Sequence, residues 1–175
     1  ADKKLGLEIQ LPGWGGYTAL QVRELLPDVR IINASDLVMH FRVAKSPAEM
    51  AHVREAARLT DIGMQAALEA VAPGKRDTDV AAASYAAMVG AGSEYLSIQP
   101  LVYAGYAGGM LHVAPKRRVM NVGETVPIEV SGVYHRYAAP LVRTAVIGQP
   151  SDIVKSLAEF SIAQLELLEK HLRPG

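Results

Sequence analysis

Residues 123–144 read Gly-Glu-Thr-Val-Pro-Ile-Glu-Val-Ser-Gly-Val-Tyr-His-Arg-Tyr-Ala-Ala-Pro-Leu-Val-Arg-Thr. Two runs rich in β-branched residues flank a polar segment with a glycine and a proline, the pattern of strands joined by turns. Strands are expected over 125–133 and 142–147. Within the first, Glu129 stands between Ile128 and Val130, where burying a carboxylate without partners is costly. Alternation along a strand also allows it to face away from the core, so both a functional and an outward-facing structural reading are open.

Upstream, 98–104 is a third strand candidate. It runs into the glycine-rich stretch Gly105-Tyr-Ala-Gly-Gly109 and a lone His112 in a loop. That loop lacks the Lys-Ser/Thr and following helix of a phosphate cradle. Further back, Ser46-Pro47-Ala48-Glu49 has the residue types of a helix start: a capping serine, proline at the first helical position and glutamate at the third. Met50, Val53, Ala57, Met64, Leu68 and Val71 then recur at helical spacing until Pro73-Gly74. An alanine-rich helix is expected over 77–89, closed by Gly90 and Gly92. Downstream, Asp152 opens an amphipathic helix carrying Ile153, Leu157, Phe160, Leu167 and Leu168 and ending in Arg173-Pro174-Gly175. The first residues form strand (5–10), break (11–16), helix (17–26), strand (29–32) and connection (34–40). The class is α+β, in two parts with a boundary at 44/45.

Lys and Arg together number 18, as do Asp and Glu. That balance argues against a general nucleic-acid binder, and Lys116-Arg117-Arg118 is expected to be a solvated turn. There is no cysteine, so neither a disulfide framework nor thiolate chemistry is expected. No apolar run is long enough to span a bilayer and no signal segment is visible, so a soluble, cytoplasmic protein is expected. Residues 55–74 and 156–175 both end in Pro-Gly and match at Ala57/Ala158, Leu59/Phe160, Thr60/Ser161 and Met64/Leu165, as an internal duplication would.

Several features occur in an order and spacing that resembles the pita-bread family of creatinases, aminopeptidases P and prolidases. They are Arg42-Val-Ala-Lys-Ser-Pro-Ala-Glu49 before a long helix, Pro73-Gly74, His112 after a glycine-rich loop, Gly123-Glu124 leading into a strand, Tyr137, Arg143-Thr144 and Gly148. The resemblance implies that residues 45–175 are the N-terminal half of a pita-bread catalytic domain, apparently truncated. It further implies that residues 1–44 are the C-terminal part of the creatinase-like N-terminal domain. The second half of the family's domain supplies another histidine and two glutamates.

Metal-dependent members use two aspartates within the region quoted first. Here those positions hold Glu129 and Pro140, and no aspartate lies between Asp79 and Asp152. Proline has no donor atom, and a two-metal centre bridges its ions with carboxylates. The expectation is therefore a site with no metal ligand and no cofactor, as in the metal-free creatinase-like and ectoine-hydrolase-like branches. The 123–144 run looks more like ectoine hydrolase.

On that resemblance Glu129 is the nucleophile or general base and His112 the proton shuttle. Tyr134, Arg136, Tyr137 and Arg143 are candidates for substrate contact, Arg143 because a guanidinium pairs bidentately with a carboxylate. Tyr137 is equally a core candidate and Arg143 equally a structural partner. His40, His52, His135 and His171 are read as packing or surface residues. The implied activity is hydrolysis of a C–N bond in a small nitrogenous compound, ectoine first, by a homodimer that binds neither nucleic acid nor membrane. Alternatives are a creatinase-type amidinohydrolase, a metal-dependent Xaa-Pro peptidase, and an inactive homologue or fragment with a binding role.

Overall fold

The computed structural model describes residues 3–9, 16–110 and 112–173. Residues 11–15 of the expected break at 11–16 and the terminal Pro174-Gly175 lie outside the described residues, and Gly16 opens a helix. The chain divides into two compact units, 1–48 and 49–175, so the division falls four residues beyond the expected 44/45 boundary.

In the first unit β1 (Lys4–Leu7) and β2 (Arg30–Asn33) pair in parallel, Lys4 with Arg30 through Leu7 with Asn33, with α1 (Gly16–Leu25) between them in sequence. The expected connection after β2 is instead a helix, α2 (Ser35–Val43). Its start is fixed by the Asn33 carboxamide, which accepts hydrogen bonds from the Ser35 amide (3.0 Å) and hydroxyl (2.7 Å). Asp36 in the first turn and His40 and Arg42 in the last complement the helix dipole. Those charges were the signal in the sequence.

The second unit is built on α3 (Pro47–Ala70), α4 (Asp77–Gly90) and an antiparallel sheet. The sheet's order is β3 (Leu101–Val102), β4 (Thr125–Val130), β7 (Leu141–Val146). Between β4 and β7 lies a hairpin of β5 (Val133–Tyr134) and β6 (Tyr137–Ala138). The expected strand 98–104 shrinks to two residues, and 125–133 divides into β4 and β5 at Ser131-Gly132.

Alternation along β4 separates two faces. Val126, Ile128 and Val130 are fully buried in a cluster with Met64 and Ala67 of α3 and Val80 and Met88 of α4. Burying each such side chain contributes roughly 1.5–3 kcal/mol. Thr125, Pro127 and Glu129, half-buried, project to the other face. The buried line of α3 runs through Ala56, Leu59, Thr60, Gly63, Met64 and Ala67; of the expected stripe only Met64 belongs to it, and Leu68 is exposed. Small residues set that line because α3 approaches its neighbours closely. A β-carbon on Gly63 would collide with the Met88 side chain, and one on Gly132 would sit 2.9 Å from Leu59 Cβ and 3.1 Å from the Thr60 amide nitrogen.

The last helix, α5 (Asp152–His171), is capped by Ser151, whose hydroxyl accepts from the Val154 amide at 3.3 Å. It buries no residue, and Ile153, Leu157, Phe160, Leu165, Leu167 and Leu168 are all exposed.

Candidate functional site

Glu129 lies on β4 opposite Leu101 of β3 and Val142 of β7. Directly opposed residues in an antiparallel pair share a face, so its carboxylate leaves the sheet on the side away from the α3–α4 core. The side chain is 17% exposed, and His112 Nε2 lies 3.7 Å from its Oε2. His112, itself largely exposed, has a positive φ of 56°. For a residue other than glycine that conformation costs about 1–3 kcal/mol, and such outliers cluster at functional sites.

The loop that carries His112 is held at its far end. Asp77, at the start of α4 and 2% exposed, accepts the amides of Lys116 (2.9 Å) and Arg118 (3.1 Å). Arg118 is not the solvated side chain expected of the basic run. It pairs with Glu124, donates to the Ala104 carbonyl at 3.0 Å, and lies 5.4 Å from the Tyr106 ring centre. Gly105, at φ 67°, has no room for a side chain because a β-carbon there would meet the Arg118–Glu124 pair. Lys116 and Arg117 are exposed, as expected.

The expected substrate contacts are placed elsewhere. Arg143 opposes Ile128, which puts it on the other face of the sheet from Glu129. There it is exposed and donates to the Val142 carbonyl at 2.8 Å. Tyr134 and Tyr137 flank a two-residue turn in which His135 (φ 47°) and Arg136 (φ 67°) are both left-handed. That is the conformation of the tight hairpin turn whose twist matches the strands. The hairpin packs on the first turns of α3. His52 stacks on Tyr137 at 5.6 Å and approaches Tyr134 (5.6 Å) and His135 (4.9 Å), and the Tyr137 hydroxyl donates to Glu49 at 2.8 Å. Arg136 is at the exposed tip. The structure thus brings Glu129 and His112 together and gives the hairpin residues to α3.

Sequence reading missed Tyr103. Its amide donates to the Pro127 carbonyl at 3.2 Å, continuing the β3–β4 register by one residue and placing its side chain on the Glu129 face. The residue is 5% exposed, and burial, with the Glu129 charge second, raises its phenol above the ordinary value of 10.0. Alternation through Leu101, Val102 and Tyr103 was the available signal.

As donors for a metal, this face offers one carboxylate and one imidazole. Val142 stands opposite Glu129, Thr144 opposite Pro127, and proline occupies position 140. These two side chains do not by themselves supply the carboxylates that bridge a pair of ions. Among the described residues no group of three or more His, Asp or Glu side chains is arranged to hold an ion.

Residues 51–175 match the model of metallopeptidase family M24. A Sinorhizobium fredii protein named uncharacterized hydrolase/peptidase y4tM is 32% identical over 99% of this chain and 45% of its own length. The ectoine hydrolase of Halomonas elongata is 29% identical over 82% of this chain and 37% of its own. The prolidase of Pyrococcus horikoshii superposes with a TM-score of 0.90 at 24% identity, over 99% of this chain and 49% of that one, which shows the pita-bread fold, here as a partial domain. The chain spans a little under half the length of the first curated relatives it matches. With the family model matching residues 51–175, the chain belongs to metallopeptidase family M24.

Proposed function

We propose that this chain carries one half of the active site of a hydrolase that opens a C–N bond in a small nitrogenous compound without a metal. A cyclic amidine of the ectoine type is the leading substrate. The observation that carries the reading is the Glu129–His112 pair, 3.7 Å apart on the sheet face turned away from the core. Glu129 acts on the amidine carbon, directly or by taking a proton from water. Oxygen adds to that carbon, the C–N bond breaks, and the departing nitrogen takes a proton relayed by His112. Likeness to an ectoine hydrolase over most of the chain supports the substrate class, and proline at position 140 supports a path without bridged ions.

The test is turnover of ectoine by the full-length protein after exhaustive chelation, with its metal content measured. Ring opening at undiminished rate, lost in Glu129→Gln, supports the reading. A protein that is silent on ectoine but cleaves an Xaa-Pro dipeptide once manganese or cobalt is returned overturns it. Single turnover in ¹⁸O-labelled water then separates the two roles of Glu129, since only a nucleophile acquires label in its carboxylate.

The M24 match itself favours a second reading, a metal-dependent peptidase, which the donor set at positions 129 and 140 opposes. As a whole protein the molecule is expected to be a homodimer, measurable by sedimentation. No helix among the described residues is long and apolar enough to cross a membrane.

A further inference from the structure

A cavity of about 190 Å³ is lined by Asp77, Tyr103, Ala104, Tyr106, Lys116 and Arg118 among others, and through Tyr103 it adjoins the sheet face that carries Glu129. Two of its polar lining residues already have partners. Asp77 holds two backbone amides, and Arg118 is committed to Glu124 and the Ala104 carbonyl. Tyr103 differs. Among the described residues its hydroxyl has no hydrogen-bond partner, yet the one fully enclosed side-chain polar atom without a partner is Ser84 Oγ. The Tyr103 hydroxyl therefore keeps an edge open to solvent although the residue is only 5% exposed. That edge belongs to a side chain that lines the cavity and shares the face of Glu129.

The donor of this hydroxyl is therefore left to water or to a ligand, and a ligand seated in the cavity can take it. The low exposure of the ring, and second to it the negative charge of Glu129, hold the phenol in its protonated, donating form.

We infer that Tyr103 is a third catalytic group of this site: its phenol donates a hydrogen bond to the substrate atom that gains electron density as the carbon beside Glu129 is attacked, with that end of the substrate seated in the Tyr103–Tyr106–Lys116 cavity. The inference rests on the hydrolase reading above. No bond to Tyr103 forms or breaks. Its hydrogen bond strengthens as the carbon becomes tetrahedral, and a donor aimed at developing charge in a water-poor site lowers the barrier rather than tightening ground-state binding.

The experiment compares wild type, Tyr103→Phe and Tyr103→3-fluorotyrosine in the full-length protein, with ectoine as substrate. Tyr103→Phe is expected to lower kcat by about 100-fold, the size of effect seen on removing one such donor, while KM changes by less than about threefold. Fluorotyrosine keeps the packing and makes the phenol more acidic, so the alkaline limb of the kcat profile should move to lower pH, a shift that a purely structural tyrosine would not produce. If Tyr103→Phe does not fold, the fluorotyrosine profile alone decides. An active wild type whose kcat survives Tyr103→Phe, or whose alkaline limb is unmoved by fluorination, overturns the role of Tyr103 and leaves the hydrolase reading standing. A wild type inert towards ectoine overturns the hydrolase reading and the role of Tyr103 with it.

Discussion

The Gly132 amide donates to the hydroxyl of Thr60, 72 residues earlier, across 2.9 Å in the interior. The same hydroxyl has the Ala139 carbonyl at 2.8 Å and the Ala56 carbonyl at 2.9 Å. One oxygen on α3 thereby ties down both ends of the segment between β4 and β7. Thr60→Val keeps the shape but strands the Gly132 N–H away from water. A loss of about 1–3 kcal/mol is expected, read as a lower urea midpoint with unchanged slope.

Gly132→Ala tests the same contact from the other side. Its β-carbon would meet the Leu59 β-carbon and a backbone nitrogen, atoms that cannot swing aside. Overpacking of this kind costs about 1–3 kcal/mol. Thermal unfolding followed by circular dichroism should show a clear drop in midpoint, and an unchanged midpoint would refute the close approach.

His112→Ala should leave the fold intact, since the imidazole is largely exposed. On the proposed hydrolysis it should cut turnover by the full-length protein by about 10²–10⁴-fold, the range for a removed proton-transfer group. Partial recovery with added imidazole would mark the loss as chemical. Equal rates for variant and wild type would remove His112 from the mechanism.

Glu124 supplies a pH dependence. Burial raises its pKa, but the Asn121 amide and side chain and the Arg118 guanidinium together outweigh that and leave it below the usual 4.5. A carboxyl depressed in the folded state stabilises the fold fully above its unfolded pKa, and the contribution fades as pH falls through the folded value. Stability should therefore decline below about pH 4.5. Glu124→Gln should lower stability at pH 7 by about 1–3 kcal/mol, since the bonds lost are to charged groups, and should flatten the acid limb.

Arg136→Gly should stabilise the hairpin. Arg136 holds φ 67°, a conformation that costs a side-chain-bearing residue about 1 kcal/mol more than glycine. The gain is offset in part by the greater freedom of glycine in the unfolded chain. A rise of up to about 1 kcal/mol in unfolding free energy is expected, and a fall would mean that the arginine makes a stabilising contact.

Much of this architecture was legible in the sequence because it depends on local patterns. Proline and serine at 46–47 announced the start of α3, and branched residues at 126, 128 and 130 announced β4. The Glu129–His112 pairing became legible only through family resemblance, since its partners are 17 residues apart and meet through a left-handed turn. What stayed hidden depends on distance. Nothing near Tyr134 or Tyr137 tells that they fold back onto residues 49–52, and nothing near Arg143 tells that the register turns it away from Glu129. The buried line of α3 was misread because close approach selects alanine and glycine, and a search for large apolar residues passes over them.

The alternation in β4 also has an evolutionary consequence. Even-numbered positions 126–130 face the packed core and odd-numbered ones the open face, so on the proposed function one short strand would be under two separate selective pressures. A saturation scan scored for both abundance and activity should oscillate with period two, the two scores out of phase. Drift towards a new substrate could then proceed through the odd positions while the even ones stay fixed, without the fold having to change.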